Sequence, residues 1–377
     1  MHPIDSCKVG NYVAALRALE ADGRLRRLRP RAGTDFASND YLALPSTPRM
    51  RKAICAALEE GTPVGAGGSR LLRGNCEEHE AVEAEAARFF FGSGYLANFA
   101  VLTTLPQRGD LLVIDSLVHA SIHEGTRAGR AEFRTSGHND PQSVEDTIRG
   151  WRAQGGAGRI WIVVESLYSM DGDFAPLDEL MAIADRHDAF IMVDEAHATG
   201  VYGKQGRGLT APYESRENLL VVHTCGKALG AAGALVTASG VLRDFAVNRC
   251  RPFIFATAPS PIMAIAVREA LLILEDEPER QDRLSKLVAF THREIGARGG
   301  QSLSGSQIVP YIVGDNERAM WLASRLQSRG YDIRGIRPPT VPAGTARLRI
   351  SLTLNVVEDH VRGMLDALFE ETRGEAR

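Results

Sequence analysis

One lysine of this chain stands among small, neutral residues, an unusual setting for a surface lysine. Lys227 lies in the segment HTCGKALGAAGA, and only five of the 44 basic residues are lysines. A lysine that loses hydration in such a setting has a lowered amine pKa and attacks carbonyl carbons more readily. This environment is typical of a lysine that forms a Schiff base. The alternative is an ordinary surface lysine on a loop.

A carboxylate and a histidine follow one of the apolar runs of the sequence. Asp194 comes directly after the run 190–193, and His197 comes three residues later. A carboxylate at the end of a buried strand needs a cationic partner. A protonated pyridine nitrogen is such a partner, and its charge allows the ring to take up electrons. The alternatives are an aspartate that caps the next turn and a histidine with a structural role.

Three other segments offer groups suited to a planar, phosphorylated ligand and its substrate. His119 follows the apolar run 111–114, and its flat imidazole could stack on a ring. Gly94 and Tyr95, in the segment GSGY, could present backbone N–H groups to a phosphate at the start of a helix. Arg349, in the segment RLRIS, suits bidentate capture of a carboxylate. A structural histidine, a plain turn and an exposed edge-strand arginine are the alternatives.

These residues can act together only if the fold brings them to one place, and the periodicity of the sequence predicts such a fold. Apolar runs that predict buried strands alternate with helical stretches, which favours an α/β domain on a mostly parallel sheet. Ligands bind such sheets at the carboxyl ends of the strands. The predicted strands are 111–114, 160–164, 190–193 and 219–222, and the predicted helices include 11–29, 47–60, 77–91, 142–154 and 177–187.

The last third of the chain has a different pattern. Long helices over 262–300 precede strands at 308–313 and 347–352 and helices at 316–329 and 358–371, which predicts a smaller α+β domain. We therefore expect three parts: an N-terminal helix and arm over 1–45, a large α/β domain over 46–255 and a small C-terminal domain over 256–377.

Composition excludes several classes of protein. The net charge of −3 argues against a nucleic-acid partner. No apolar stretch reaches the ~18 residues of a membrane-spanning helix, and the first residues lack the apolar core of a signal peptide. The five cysteines form no C-x-x-C pair, which predicts neither a metal site nor disulfides and favours the cytoplasm.

Taken together, six segments resemble the α-oxoamine synthases, a branch of the fold-type I pyridoxal-phosphate enzymes. They are FASNDYLAL (36–44), GAGGSRLLRGN (65–75), SMDGD (169–173), VDEAHATGVYGKQGRG (193–208), HTCGKALG (223–230) and IRPPTVPAGTARLRIS (336–351). The resemblance implies a mostly parallel central sheet flanked by helices, with a smaller α+β C-terminal domain. It also implies condensation of an amino acid with an acyl thioester and release of carbon dioxide.

The last segment, 336–351, is most similar to the branch that joins L-alanine to a pimeloyl thioester in biotin synthesis. A relative that uses glycine, such as a glycine acetyltransferase, is the alternative within the family. The thioester carrier, coenzyme A or an acyl-carrier protein, stays open.

The resemblance also implies roles for individual residues around pyridoxal phosphate. Lys227 would form the Schiff base and carry protons, while Asp194 would pair with the ring nitrogen. Thr257 would be lent to the phosphate by the neighbouring subunit of a homodimer with a shared active site. The remaining implied cofactor contacts are Gly94, Tyr95, His119 (stacked on the ring), Ser169, His197 (at the ring oxygen) and Thr224, and the implied substrate contacts are Arg26, Thr340 and Arg349.

The chain departs from the family pattern in one place. The family places a short strand between the helix at 77–91 and the S-G-[FY] turn, whereas here the predicted helix runs directly into Gly92. Either the strand is lost, which would favour a non-catalytic relative, or Phe89, Phe90 and Phe91 form a truncated strand after a shortened helix. The intact Lys227 and Asp194 argue for an active enzyme.

Overall fold

The structure is a computed structural model that describes residues 7–28, 30–86, 89–301 and 303–374. Its strands form a seven-stranded sheet, a three-stranded sheet and a two-stranded parallel pair. The strands are β1 (Thr34–Asp35), β2 (Phe89–Phe91), β3 (Leu111–Asp115), β4 (Glu132–Ser136), β5 (Ile160–Glu165), β6 (Phe190–Asp194), β7 (Leu219–Thr224), β8 (Ala234–Thr237), β9 (Ile308–Gly314), β10 (Tyr331–Asp332), β11 (Arg334–Ile336) and β12 (Ala346–Ser351).

The large sheet has the strand order β2-β8-β7-β6-β5-β3-β4 in the part of the chain that the structure describes. Strands β3 to β7 are mutually parallel, and β8 runs antiparallel to both β7 and β2. Every residue of β3 and β5 is buried. Strands covered on both faces need continuous apolar sequence, which is why these runs were visible in the sequence. The mostly parallel α/β sheet is confirmed.

Helices pack on both faces of this sheet and around the smaller one. They are α1 (Gly10–Ala21), α2 (Pro48–Glu59), α3 (Glu77–Ala86), α4 (Gly94–Thr104), α5 (Ala120–Ala128), α6 (Pro141–Ala153), α7 (Leu177–Arg186), α8 (Gly240–Arg249), α9 (Arg251–Ile254), α10 (Pro261–Asp276), α11 (Glu279–Ala297), α12 (Asn316–Ser328) and α13 (Glu358–Gly374). Among the described helices, none has the length and apolar character needed to cross a membrane.

The smaller sheet is antiparallel, in the order β11-β12-β9, with α12 packed against it and α13 packed against α12. Its middle strand, β12, is buried along its whole length and carries Arg347 and Arg349. Backbone bonds from Ser351 to Phe36 and from Leu354 to Tyr41 tie this sheet to the segment 36–44. The two sheets fall on either side of residue 255, and the three-part domain division itself stays a prediction.

In the segment before Gly92, where the sequence departs from the family pattern, the structure has a shortened helix followed by a short strand. The predicted helix 77–91 is wrong: α3 ends at Ala86, and Phe89–Phe91 pair antiparallel with β8. Three consecutive aromatic residues favour a strand over a helix, and all three side chains are buried. The Phe90 N–H donates to Glu83 Oε1 at 2.8 Å, which fixes the new strand to the end of α3. The truncated strand is confirmed.

The N-terminal helix is also shorter than its pattern predicts. Helix α1 ends at Ala21, where Gly23 (φ +63°) adopts the left-handed conformation that terminates helices. Arg26 therefore lies in an irregular segment, and the predicted end at Arg29 falls outside the described residues. No residue of α1 is buried.

Candidate active site

Polar side chains meet where the carboxyl ends of β5, β6 and β7 lie side by side. Glu165, the last residue of β5, is level with Asp194, the last residue of β6. Thr224 ends β7, the next strand of the sheet. The parallel register thus brings to one edge the groups that the sequence places far apart, as the sequence predicts for a sheet of this kind.

Lys227 lies in the loop that joins β7 to β8. The loop is closed by the bonds Cys225 N–H to Gly233 O and Gly230 N–H to Lys227 O, both 2.9 Å. Lys227 Nζ lies 2.8 Å from His197 Nε2. Burial lowers the pKa of the Lys227 amine to about 8, although the charges of Asp194 and Glu165 oppose the shift. A useful fraction of this amine is therefore neutral near physiological pH, as a nucleophile or base requires.

His197 connects Lys227 to a tyrosine from the N-terminal arm. Its Nδ1 lies 2.6 Å from the Tyr41 hydroxyl, and its carbonyl oxygen accepts from Gln307 Nε2 at 2.8 Å. Burial, with the positive charges of Lys227 and Arg349, holds the pKa of His197 well below its usual value. The imidazole is therefore neutral, with one nitrogen that donates and one that accepts.

Asp194 is oriented by two donors. Its Oδ2 accepts from Asn98 Nδ2 at 2.6 Å, and its Oδ1 accepts from the Ala196 N–H at 2.8 Å. Asn98 also donates to Ser121 Oγ, so the carboxylate is tied to both α4 and α5. A buried carboxylate held in this way is a fixed negative charge that can pair with a cationic ring nitrogen.

His119 caps helix α5 and stands next to the Asp194 network. Its Nδ1 accepts from the Ser121 N–H at 3.2 Å and lies 2.8 Å from Ser121 Oγ. Burial lowers its pKa, with Asp194 opposing and Lys227 reinforcing the shift. The half-exposed ring of Tyr95 meets it edge-on at 6.5 Å. The cap fixes the orientation of the imidazole ring, as a stacking residue requires.

The start of helix α4 forms a narrow cradle beside Thr224. A Cβ on Gly94 would lie 3.0 Å from Thr224 Oγ1, so only glycine fits without displacing that side chain. Ser93 Oγ accepts from the Leu96 N–H at 3.2 Å and caps the helix. The N-terminus of an eleven-residue helix with close backbone access suits a phosphate group.

Arg349 is buried rather than exposed on an edge. Its Nε donates to the Ser169 carbonyl oxygen at 2.6 Å, and its Nη1 donates to Ser351 Oγ at 2.7 Å. Its Nη2 is buried and has no hydrogen-bond partner among the described residues. A buried guanidinium with an unsatisfied N–H is costly without an anion, so this group is prepared to receive a carboxylate.

Three predicted site residues lie outside this hydrogen-bonded group. Thr257 is exposed and pairs with Ser69 through an isolated β-bridge. Arg26 and Thr340 are exposed as well, but both adjoin Arg337. The pKa of Arg337 is lowered by burial and by the charges of Arg26 and Arg24, and its carbonyl oxygen accepts from the Thr340 N–H at 3.1 Å.

Sequence reasoning assigned no role to three buried residues of the site. Tyr41 and Asn98 bind His197 and Asp194, respectively. Glu165 is buried, with its pKa raised to about 8 by burial and by the charge of Asp194. Asn98 was detectable as a polar residue inside the apolar helix GYLANFAVLTT, whereas nothing local marks Tyr41.

A cavity of about 1040 Å³ lies elsewhere. Val221, His223 and Leu235 line it, together with residues of α3 and α10. Side chains alternate along a strand, so His223 and Thr224 point to opposite faces of the sheet. The cavity is therefore separate from the candidate site.

Comparison with known proteins agrees with this geometry. Residues 31–368 match the aminotransferase class I and II family. The 8-amino-7-oxononanoate synthase of Cupriavidus taiwanensis is 42% identical over 355 residues, which are 88% of this chain and 86% of that protein.

Solved structures give the same picture of the fold. A serine palmitoyltransferase from S. paucimobilis with bound PLP superposes with a TM-score of 0.86 at 26% identity, covering 97% of this chain and 98% of that one. The 8-amino-7-oxononanoate synthase from Francisella tularensis superposes at 0.77 and 27% identity, covering 92% and 99%. The chain therefore belongs to the aminotransferase class I and II family, within the group that includes the 8-amino-7-oxononanoate synthases.

Proposed function

We propose that this chain is a pyridoxal-phosphate enzyme that condenses L-alanine with a pimeloyl thioester. The products are 8-amino-7-oxononanoate, carbon dioxide and the free thiol, a step of biotin synthesis. The observation that carries the proposal is the Lys227 amine, with a pKa of about 8, on the same sheet edge as the buried Asp194 carboxylate. The 42% identity to a synthase of this name supports the choice of reaction.

The residues at the sheet edge fit pyridoxal phosphate. Asp194 would hold the ring nitrogen, His197 the ring oxygen and His119 the ring face, with Ser169 close to the ring. Gly94, Tyr95 and Thr224 would receive the phosphate, because a Cβ at Gly94 would crowd Thr224 Oγ1 at 3.0 Å and glycine leaves the backbone open to a ligand. When bound, the cofactor supplies an aldehyde that joins amines and a ring that takes up the electron pair released at the substrate α-carbon.

The substrate would be held and deprotonated by two residues of this chain. Arg349 directs its unpartnered Nη2 at the α-carboxylate of the amino acid. The neutral Lys227 amine removes the α-proton and later returns a proton to the product. Because His197 stays neutral, it can accept a hydrogen bond from Lys227 without placing a second positive charge beside it.

A second copy of the chain would complete the site. Apolar side chains around Thr257 are open to solvent: Leu72 is 84% exposed and Phe255 is 69% exposed. The bridge from Thr257 to Ser69 places both in one surface region. Apolar surface of this kind marks a protein interface. We infer a homodimer in which Thr257 reaches the partner's phosphate cradle, and a cytoplasmic enzyme with coenzyme A or an acyl-carrier protein as thiol carrier.

A serine-using enzyme is the second candidate, because a serine palmitoyltransferase superposes with the higher TM-score. Backbone likeness reports the shared fold, whereas identity over side chains bears on specificity, so we favour alanine. The test is thiol release from pimeloyl and palmitoyl thioesters with alanine, serine or glycine. Alanine with the pimeloyl donor should be preferred by at least ~10-fold. Equal or better turnover with serine or glycine would transfer the chain to another branch.

A further inference from the structure

His138 is held between two carboxylates outside the cofactor contacts described above. Its Nδ1 lies 3.0 Å from Asp115 Oδ1, and its Nε2 lies 2.8 Å from Asp173 Oδ2. Its ring lies perpendicular to the ring of Tyr168, with 4.4 Å between the ring centroids. Both ring nitrogens face acceptors, and only the doubly protonated imidazolium can donate to both.

The loop attached to Asp173 carries part of the active site. Residues 166–175 form a closed turn, with the bonds Ala175 N–H to Ser166 O and Tyr168 N–H to Asp173 O, both 3.0 Å. Asn139, the neighbour of His138, donates to the same Asp173 oxygen at 2.6 Å. His138 and Asn139 therefore fix this loop to the carboxyl ends of β3 and β4.

The other side of the loop is held by the smaller sheet. Arg349 Nε donates to the Ser169 carbonyl oxygen at 2.6 Å, and Arg347 forms an ion pair with Asp171. Ser306 Oγ donates to the Gly172 carbonyl oxygen at 2.7 Å. The loop thus connects His138 to the guanidinium that has one unpartnered, buried Nη2.

We propose that His138 is a positioning residue, a permanent cation that locks the 166–175 loop and thereby aims Arg349 at the carboxylate of the amino-acid substrate. The link to substrate rests on the proposed function, whereas the locked imidazolium does not. Burial alone would lower the pKa of His138, but its bonds to Asp115 and Asp173 outweigh burial and raise it to about 10. The charge of the lock is then constant across the physiological pH range.

The charge state is tested first, without substrate or cofactor. The imidazole resonance of His138 is assigned by comparison with His138→Gln and followed by NMR from pH 6 to 9. We expect no titration in that range, because the charged groups that face the ring are Asp115 and Asp173, and burial raises the pKa of the third neighbour, Tyr168, so that its hydroxyl stays neutral. A midpoint near 6.5 would overturn the lock even if the enzyme is an active synthase.

The positioning role is tested by binding of L-alanine to the cofactor-loaded protein, read from the change in visible absorbance. His138→Gln should weaken alanine binding about tenfold, with kcat within about threefold and the resting spectrum unchanged. The matched control is His360→Gln, an exposed histidine on α13, which should leave binding unchanged. A lower melting temperature with unchanged alanine binding would show a purely structural role and overturn the proposal.

A second variant keeps the test decisive if His138→Gln folds poorly. Asp173→Asn removes the charge of one of the two carboxylates and leaves the His138 imidazole in place. It should weaken alanine binding by a similar factor, and adding His138→Gln to it should weaken binding little further, because both changes break one contact. Independent, multiplied effects would contradict the lock. Absence of any cofactor band would instead contradict the proposed function and leave the NMR result standing.

Discussion

Two parts of the large sheet support the site in different ways. Strands β5, β6 and β7 are five or six residues long, parallel and buried, and they carry Glu165, Asp194 and Thr224 at their ends. Strand β2, which leads into the phosphate cradle, has three residues and lies at the sheet edge, where β8 is its one partner among the residues that the structure describes. The first region is held by backbone hydrogen bonds between neighbouring parallel strands.

The second region relies more on side chains. Rings of Phe89 and Phe91 each meet Phe253 at 5.7 Å, and Phe90 lies against Gly233, where an added Cβ would come within 2.5 Å of its ring. Gly233 closes the loop of Lys227. Aromatic packing thus supplies the stability that the short hydrogen-bond ladder of β2 lacks. Because this region depends on a few side chains, β2 and the cradle are the more fragile of the two regions.

The largest effect on activity should come from the region of β5, β6 and β7, when the Lys227 amine is removed. Lys227→Ala should reduce turnover by at least ~10³-fold and remove the absorbance band that the Schiff base with Lys227 gives the resting enzyme before an amino acid is added, since the base and the covalent link are lost together. Lys204→Ala, an exposed lysine, is the control and should behave as wild type. A variant at residue 227 that kept the absorbance band would disprove the assignment.

In the region of β2, substitution of Phe90 should reduce stability the most. This side chain is 1% exposed, and Phe90→Ala should cost about 3–5 kcal/mol of unfolding free energy by leaving a cavity. Phe133→Ala on the outer strand β4, 43% exposed, should stay within about 0.5 kcal/mol. Urea unfolding of both variants makes the comparison. Equal losses would show that β2 is not a special support.

The pH dependence of stability tests the region of β5, β6 and β7 through Glu165. The pKa of Glu165 is raised to about 8 in the fold, mainly by burial. Wild type therefore loses stability as pH rises from the unfolded value near 4.5 towards 8, because the unfolded chain releases this proton first. Glu165→Gln carries no such proton.

The stability of Glu165→Gln relative to wild type should thus increase by about 4 kcal/mol between pH 4.5 and 8. Glu124→Gln, an exposed carboxylate on α5, should show no such trend. Urea denaturation at a series of pH values measures the difference. A constant offset across that range would mean that Glu165 is ionised in the fold.

The smallest effect should come from the cap of the phosphate cradle. Ser93→Ala removes the bond to the Leu96 N–H and should cost about 1 kcal/mol. Ser239 precedes α8 without a side-chain cap bond, so Ser239→Ala should cost much less. The melting temperatures of the two variants test this. If they matched, the cap would not help to hold the cradle.

The long strands and their terminal residues could be read from the sequence because the apolar runs are continuous. Lys227, Asp194 and His197 then come together by the rules of parallel sheets. Tyr41 could not be placed, since it reaches His197 across 156 residues. The alanine- and glutamate-rich pattern of α3 extended the predicted helix through Phe91, although cross-strand pairing of Phe89–Phe91 with β8 outweighs local helical propensity.

The most direct measurement is the absorbance spectrum of purified protein with pyridoxal phosphate, before and after addition of L-alanine. We predict a visible band that shifts with alanine and that, before alanine is added, is missing in Lys227→Ala. That result would show that the three-residue strand β2 still supports a working phosphate cradle. No band at saturating cofactor would contradict the account and favour a non-catalytic relative.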